Sequence, residues 1–286
     1  MILIVESGST KTAWRYIAQL NEAYDSFTSL GINPYYQSLD EIRDAQAETL
    51  KKVKTLPLKF VYYFGTGITD DSKKAIIESF LKPVIGNATL QVQSDLMAAG
   101  LALCGNQTGI ACILGTGANS GFFVEGELHS QVPPLGFWLG DEGSGGHLGK
   151  CLILAYLHLE LPADLKSLFD KRFGTLDRLT ILQKAYREEF PNRWFASFSK
   201  FLFDHRKHPF CYQLIEKSFQ SFCELYLLKY EQARSQPIHF TGSVAFYYAD
   251  ILRRVLKANK LQAGIISEGP LAGLTLYYKE IHRSIF

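Results

Sequence analysis

Cysteine and long apolar runs are both scarce in this sequence. The five cysteines form no Cys-x-x-Cys pair, so a disulfide framework, a zinc ribbon and an iron–sulfur cluster are all poorly supported. No apolar run approaches the ~18–20 residues of a membrane span, and the first residues have neither the basic start nor the apolar length of a secretory signal. We therefore expect a cytoplasmic protein with reduced thiols and no membrane partner.

An excess of charge of either sign is also lacking. The 286 residues include 30 Lys and Arg against 28 Asp and Glu, a formal net charge of +2. Proteins that bind nucleic acid normally show a basic excess or stripe, so we expect no nucleic-acid partner. With 47% hydrophobic and 20% charged residues the chain is typical of a folded protein, and its length predicts two domains.

What the sequence does contain is 23 glycines that are unevenly spread. They occur with small hydroxyl residues where predicted strands end, at Gly8 to Thr12, at Gly115 to Ser120, and at Gly242-Ser243 before a helix. Glycine adopts backbone angles that let successive N–H groups point into a concave anion site. One such turn is typical of a hairpin, but three at corresponding places in an α/β chain predict phosphate binding.

The first of these turns adds side chains that suit an anion. Ser9, Thr10 and Thr12 supply hydroxyl donors, and Lys11 supplies a positive charge. The chain has neither the Walker-type loop nor the dinucleotide-binding fingerprint. The pattern therefore predicts a phosphate site built from a strand, a turn and a second strand.

This pattern of strand, turn and strand occurs twice along the chain. A predicted strand at Met1 to Val5 has a hairpin partner at Ala13 to Ile17, and about 108 residues later Gly109 to Leu114 and Gly121 to Val124 repeat the arrangement. Residues 150–234 show apolar residues at helical spacing and no convincing strand. These features predict a duplicated α/β fold with a helical insertion.

Six segments are similar to the motifs of one known family. They are ESGSTKTAW at 6–14, QSDLMAAGLAL at 93–103, GTGANSG at 115–121, GFWLGDEGSGGHLGK at 136–150, FTGSVA at 240–245 and GPLAGL at 269–274. In this order they resemble the N-acetylglucosamine kinase and BadF/BadG-type ATPase family, within the superfamily of sugar kinases, Hsp70 and actin. The segment at 136–150 resembles the sugar site of N-acetylglucosamine kinases in particular.

The resemblance implies an α/β fold of two RNase-H-like (actin-like ATPase) lobes around a central cleft. The N-terminal lobe would comprise residues 1–109, with a C-terminal helix at 270–286 packing back on it. The C-terminal lobe would comprise residues 110–269, with the helical insertion at about 150–234. ATP and Mg²⁺ would bind in the cleft, with the hexose at its base.

The resemblance also implies roles for individual residues. Asp95 matches the catalytic carboxylate that accepts or orients the proton of the sugar 6-hydroxyl, and Glu6 stands where a carboxylate helps to hold Mg²⁺ through water. The residues that match contacts to the ATP phosphates or adenosine are Gly8, Ser9, Thr10, Lys11, Thr12, Gly115, Thr116, Gly117, Gly242 and Ser243. The residues that match contacts to the sugar are Asn33, Asn119, Asp141 and Glu142.

Several of these residues have a plain structural alternative. Asp95 lies between a strand and an apolar helix, where it would serve as a helix N-cap. Asn33 would serve as a turn residue before Pro34, and Asp141 and Glu142 would be solvated acids of a glycine-rich turn. The segment Gly65 to Gly67 would border the pocket for an N-acetyl group or simply close a strand.

Three departures from the family pattern bear on activity. The family usually has Asp at the position of Glu6, and close bacterial relatives tend to have an acid at Ala13 and Ser at Ala118. The expected function is an ATP-dependent hexosamine kinase acting on the 6-hydroxyl of N-acetylglucosamine. Because of these departures, a protein that binds or senses sugar or nucleotide without catalysis is an alternative function. Because of the family, a BadF-type ATPase is another. The superfamily often forms homodimers, so the aromatic-rich insertion is either core or a dimer interface.

Overall fold

The computed structural model describes residues 1–19 and 24–283 and contains two compact units. The first unit comprises Met1–Gln107, Glu125–Leu128 and Gly269–Phe286, and the second comprises Thr108–Val124 and His129–Glu268. The last three positions of the helix expected at 270–286 lie outside the described residues. Among the described residues, no helix combines the length and the apolar character that crossing a membrane requires.

Strands and helices alternate along much of the chain and are numbered in chain order. The strands are β1 Ile2–Ser7, β2 Lys11–Ile17, β3 Asp25–Leu30, β4 Phe60–Gly65, β5 Thr89–Ser94, β6 Gly109–Leu114, β7 Ala118–Val124, β8 Glu127–Ser130, β9 Ile238–Thr241 and β10 Ala263–Ser267. The helices are α1 Leu39–Ala45, α2 Ala47–Lys54, α3 Asp71–Ile85, α4 Asp95–Leu103, α5 Gly136–Leu139, α6 Gly145–Leu157, α7 Ala163–Phe173, α8 Arg178–Tyr186, α9 Pro191–Ser197, α10 Ser199–Asp204, α11 Pro209–Leu225, α12 Ser243–Tyr247, α13 Ala249–Ala258 and α14 Leu271–Ile281.

The first sheet has the strand order β3-β2-β1-β4-β5 and is covered on both faces. β1 pairs antiparallel with β2 and parallel with β4, so it is the central strand. Side chains alternate across a strand, and both faces of β1 are buried. Leu3 and Val5 pack with Phe80 of α3, whereas Ile2 and Ile4 pack with Leu274 of α14. The hydrophobic run at the start of the sequence is therefore a fully buried strand.

The second sheet repeats this arrangement in the order β10-β9-β6-β7-β8. β6 and β7 form an antiparallel hairpin, and β6 pairs parallel with β9. The expected fold class, two α/β lobes each built on a similar sheet, is confirmed. The polypeptide between β8 and β9 is helical, and residues 150–234 contain no strand.

The helical insertion forms the larger part of the core of the second unit. Its aromatic side chains pack against one another and against the sheet. Phe169, Phe201, Phe219 and Phe222 are all fully buried. These four aromatic residues are therefore core residues.

Candidate active site

The first glycine turn joins β1 to β2 and is closed by its own backbone. The N–H of Gly8 donates to the carbonyl of Lys11 at 2.9 Å, and Lys11 is exposed. Thr12 follows the turn but is fully buried, and its Oγ1 donates to the carbonyl of Leu30 at 2.8 Å. The prediction that the Thr12 hydroxyl is a donor for an anion is therefore wrong, because its proton is used within the protein. The other residues of the turn remain candidates.

A segment that includes Asn33 packs directly against this turn. The N–H of Gly31 donates to the carbonyl of Thr10 at 3.2 Å. A Cβ at Gly31 would overlap the carbonyl group of Ser9, so only glycine permits this approach. Asn33, two residues further on, is thereby held beside the turn that carries the candidate phosphate donors.

Asn33 is buried and forms the turn that the sequence allowed. Its Oδ1 accepts the N–H of Tyr35 at 3.0 Å, which is an Asx turn. A Cβ at Gly67 would overlap this same Oδ1. The loop at Gly65 to Gly67 therefore borders Asn33, and the structure brings these two candidate segments together.

Asp95 is the first residue of α4, directly after β5. The N-cap is Ser94, whose side chain accepts the N–H of Met97 at 3.3 Å, so the alternative of Asp95 as the N-cap is wrong. Burial raises the pKa of Asp95, while the N–H of Leu96 and the hydroxyl of Thr66 oppose this effect by hydrogen bonding to the carboxylate. The result is a half-buried carboxyl group at a helix N-terminus, held in orientation by neutral donors.

Glu6, near the end of β1, is electrostatically coupled to Asp95. Burial and then the negative charge of Asp95 raise the pKa of Glu6 to about 7, and Lys11 acts in the opposite direction. Ala13 is paired with Glu6 across the hairpin, so no further acid stands opposite Glu6 there. The first unit therefore brings together Glu6, Asp95 and Lys11.

These two acids are suited to a magnesium ion. Mg²⁺ is commonly held by one or two carboxylates together with waters and substrate phosphates. No group of three or more metal-ligating side chains occurs in the described part of the chain, and a water-mediated site of this kind needs none. Two coupled carboxylates repel each other, and a divalent cation would relieve that repulsion. The donor set at Glu6 and Asp95 therefore fits Mg²⁺.

In the second unit, the turn between β6 and β7 packs on the start of α6. The N–H of Gly115 donates to the carbonyl of Gly117 at 3.0 Å and closes the turn. The carbonyls of Gly115 and Thr116 accept the N–H groups of Gly145 and Gly146 at 2.8 and 3.0 Å. The second candidate phosphate motif is thus joined to the glycine-rich segment that resembles a sugar site.

The third glycine turn lies against the second. Gly242 has a φ of +113°, and a Cβ there would overlap the carbonyl group of Leu114 and lie 3.1 Å from the nitrogen of Gly115. Both the angle and the close approach require glycine. Ser243 is the first residue of α12. The structure therefore brings together Gly115 and Gly242, two turns that are more than 100 residues apart.

Asp141 is oriented toward the same turn. It is only 7% exposed, so it is not a solvated turn acid. Its Oδ1 accepts the N–H of Ala118 at 3.0 Å, and a Cβ at Gly117 would lie 3.0 Å from its Oδ2. Burial raises the pKa of Asp141, the Ala118 N–H lowers it, and the neighbouring Glu142 raises it. The Asp141 backbone has a φ of +63°, in the left-handed region that few non-glycine residues adopt.

The remaining two candidates for sugar contact have protein partners of their own. The hydroxyl of Tyr226 donates to Oε2 of Glu142 at 3.0 Å. The Oδ1 of Asn119 accepts the N–H of Ser120 and the side-chain N–H of Gln131, each at 2.9 Å. These contacts fix the direction in which each side chain points.

Comparison with solved structures identifies the family. The chain is 37% identical to a candidate N-acetylglucosamine kinase from Porphyromonas gingivalis, with a TM-score of 0.89 over 99% of this chain and 100% of the other. The chain belongs to the N-acetylglucosamine kinase and BadF/BadG-type ATPase family. Neither a protein-family model nor a curated protein matches it.

More distant structures agree with this family in fold. A candidate N-acetylglucosamine kinase from Chromobacterium violaceum is 19% identical, with a TM-score of 0.74 over 96% of this chain and 98% of the other. A ROK family glucokinase from Streptomyces griseus, in complex with glucose and AMPPNP, is 14% identical, with a TM-score of 0.53 over 99% of both chains. At these low identities the comparison supports only the fold, which is the actin-like ATPase fold of the family.

Two residues of this family member were not predicted from the sequence. Thr66 lies in the turn after β4, and it bonds the carboxylate of Asp95. Thr66 could have been recognised from the sequence by its position in the turn Gly65-Thr66-Gly67, directly after a buried strand. Tyr226 follows α11 and bonds Glu142 across 84 positions of sequence, for which the sequence contains no signal.

Proposed function

We propose that this protein is an ATP-dependent sugar kinase that phosphorylates the 6-hydroxyl of an amino sugar, with N-acetylglucosamine as the substrate. The proposal rests mainly on the position and the hydrogen bonds of the Asp95 carboxyl group. It stands at the start of α4, is half-buried, and is oriented by the Thr66 hydroxyl and the Leu96 N–H. This occurs in a chain of the N-acetylglucosamine kinase family.

Asp95 would accept the proton of the attacking sugar hydroxyl. A general base works best when its pKa lies near the working pH, and burial raises the pKa of Asp95 in that direction. Thr66 and Leu96 donate hydrogen bonds to the ionised carboxylate and favour the form that can accept a proton. Phosphoryl transfer otherwise requires positioning and charge neutralisation, so a small set of residues is sufficient.

Asp141 would bind hydroxyl groups of the sugar. A carboxylate accepts two hydroxyl hydrogen bonds in defined directions, and the Ala118 N–H holds one oxygen of Asp141 in place. Glu142, Asn119 and Asn33 are the further candidates, and each has an oxygen fixed by a protein donor. We assign the N-acetyl group to the neighbourhood of Gly67, because the loop at Gly65 to Gly67 packs directly against the side chain of Asn33.

The glycine turns and the acids of the first unit would bind the nucleotide and its metal. Lys11 would supply positive charge to the phosphates. The N–H groups of Gly8, Gly115 and Gly242 donate to carbonyls of the protein, so these glycines would serve by letting the nucleotide approach the backbone closely. Bound Mg²⁺, held by Glu6 through water, would supply positive charge that neutralises the phosphates.

A coupled assay of ADP release over a panel of sugars tests the proposal. The panel contains N-acetylglucosamine, N-acetylmannosamine, glucosamine, glucose and a reaction without sugar, each with ATP and Mg²⁺. We expect turnover that depends on sugar and is fastest with N-acetylglucosamine, with NMR of the product showing a 6-phosphate. Folded protein that shows no sugar-stimulated turnover contradicts the proposal.

A second function, a binder of sugar or nucleotide without turnover, is favoured by one observation. Glu6 has a pKa of about 7, so at neutral pH part of the population has a protonated Glu6 that is a poor ligand for Mg²⁺. Calorimetry with sugar and with ATP, compared with turnover, separates the two functions. Tight binding without turnover, together with turnover restored by Glu6→Asp, supports the binder and contradicts the kinase.

The five thiols bear on the third alternative, a BadF-type ATPase. An iron–sulfur cluster shared between subunits requires thiolates at the surface. Cys104, Cys112, Cys211 and Cys223 are buried, and burial raises the pKa of three of them to about 12. The kinase is therefore the better supported function.

A further inference from the structure

One face of α11, in the helical insertion, contacts the glycine-rich segment that carries Asp141 and Glu142. Residues four apart lie on the same face of a helix. Ser218 and Phe222 have that spacing, and Tyr226, directly after the end of α11, continues it. All three lie against residues 140–147. The helical insertion therefore supports the segment that we assign to sugar binding.

Ser218 connects two points of this segment. It is 2% exposed, and its Oγ accepts the N–H of Gly143 at 3.0 Å. The same Oγ lies 2.8 Å from Nδ1 of His147. In the tautomer of neutral His147 with the ring proton on Nε2, Nδ1 accepts the hydroxyl proton of Ser218, and Ser218 then links the ring to the Gly143 backbone. Burial, followed by the charge of Lys150, lowers the pKa of His147 and favours this neutral form, while Glu142 opposes it.

The segment needs such support because its backbone is unfavourable. Asp141 and Gly143 have φ values of +63° and +80°. A non-glycine residue in the left-handed region persists only where the surrounding structure enforces it. A Cβ at Gly143 would lie 3.1 Å from Cβ of Phe222, and the hydroxyl of Tyr226 holds Glu142. Ser218 therefore bonds the backbone at the point where the turn is most constrained.

We propose that Ser218, acting with His147, is a positioning residue that holds the Asp141–Gly143 turn in its sugar-binding conformation. The inference rests on the proposed function, because it assigns a purpose to the geometry of Asp141. Loss of the Ser218 hydroxyl leaves the buried Gly143 N–H without its acceptor, and this favours rotation of the turn. Asp141 then loses its orientation. The carbonyls of Gly115 and Thr116 keep their hydrogen bonds from the N–H groups of Gly145 and Gly146, so the turn that we assign to the nucleotide is affected less than Asp141.

The Ser218→Ala variant tests this inference by the separation of two Michaelis constants. We expect the KM for sugar to rise about tenfold, with the KM for ATP changed less than twofold, and the calorimetric Kd for sugar to weaken in parallel. The matched control is Cys223→Ala, a buried truncation on the same helix and about 140° around it from Ser218. The control is expected to leave both constants unchanged.

A measurement on the unaltered protein makes the test independent of variant folding. ¹⁵N NMR of the histidine rings should show His147 neutral, with the proton on Nε2 and Nδ1 as an acceptor. A protonated Nδ1 overturns the inference, as does a Ser218→Ala protein whose sugar KM is unchanged or rises together with the KM for ATP. Unaltered protein that neither binds nor phosphorylates any sugar refutes the proposed function, and this inference with it.

Discussion

Replacement of Glu6 by Gln should stabilise the protein at alkaline pH. The pKa of Glu6 is raised from 4.5 to about 7 by burial and by the charge of Asp95. Below about pH 4.5 Glu6 is protonated in both the folded and the unfolded chain. As the pH rises toward 7 the unfolded chain ionises first, so the folded state loses stability, and the full loss is present above about pH 7. The difference between the two pKa values corresponds to roughly 3 kcal/mol as an upper bound.

The assay is urea unfolding with a chelator present, at about pH 4 and about pH 8. Glu6→Gln is expected to leave the free energy of unfolding unchanged at the lower pH and to raise it by ~1–3 kcal/mol at the higher pH. In a parallel series without the chelator, added Mg²⁺ should stabilise the unaltered protein at pH 8 more than the variant, because the variant has lost one of the two carboxylates. The control is Glu231→Gln, at an exposed glutamate. A Glu6→Gln protein that is no more stable at pH 8 than the unaltered protein contradicts the raised pKa of Glu6, of which burial is the larger cause and the charge of Asp95 the smaller.

Two further predictions concern glycines whose neighbours leave no space for a side chain. Gly67→Ala places a Cβ against Oδ1 of Asn33 at a φ of +76°, so the KM for N-acetylglucosamine should rise severalfold while the KM for ATP is unchanged; an unaltered sugar KM would remove Gly67 from the substrate site. Gly242→Ala places a Cβ against the carbonyl of Leu114 and should lower the free energy of unfolding by ~2 kcal/mol or more, as measured in urea. An alanine variant as stable as the original would contradict the close approach.

The hydrophobic and glycine patterns predicted the central strands but not the sheet edges. β1 and β6 have long buried runs, and each was expected from the sequence. β3 (Asp25–Leu30) and β8 (Glu127–Ser130) were not, because their side chains are largely exposed and polar. Edge strands are held by backbone hydrogen bonds to one neighbour, which do not depend on a hydrophobic pattern.

The end of a helix was also not determined by the local sequence alone. Helix α3 extends from Asp71 to Ile85 and contains Pro83. Proline removes one backbone donor and favours a helix end, but Ile85 is 5% exposed, and its burial favours continuation of the helix. Tertiary packing therefore prevailed over a local signal.

Within the candidate site, the sequence indicated residue types and not their partners. Asp95, Asp141 and the three turns were chosen from the local pattern and the family resemblance. The hydrogen bond from Tyr226 to Glu142 and the bond from Gly143 to Ser218 cross more than 70 positions of sequence. Such contacts depend on how α11 packs, which local spacing does not determine. The buried hydroxyl of Thr12 was misassigned for the same reason, since its partner Leu30 lies on another strand.

The central claim is that the carboxylate of Asp95 accepts the proton of the sugar hydroxyl, and the Asp95→Asn variant tests it most directly. Asparagine keeps the size of the side chain but cannot take the proton of a sugar hydroxyl. We expect kcat with N-acetylglucosamine to fall ~10²–10⁴-fold, with the calorimetric Kd for the sugar changed less than threefold. Asp71→Asn, at the exposed first residue of α3, is the matched control and should keep full activity. An Asp95→Asn protein that retains full sugar-dependent turnover would contradict the account.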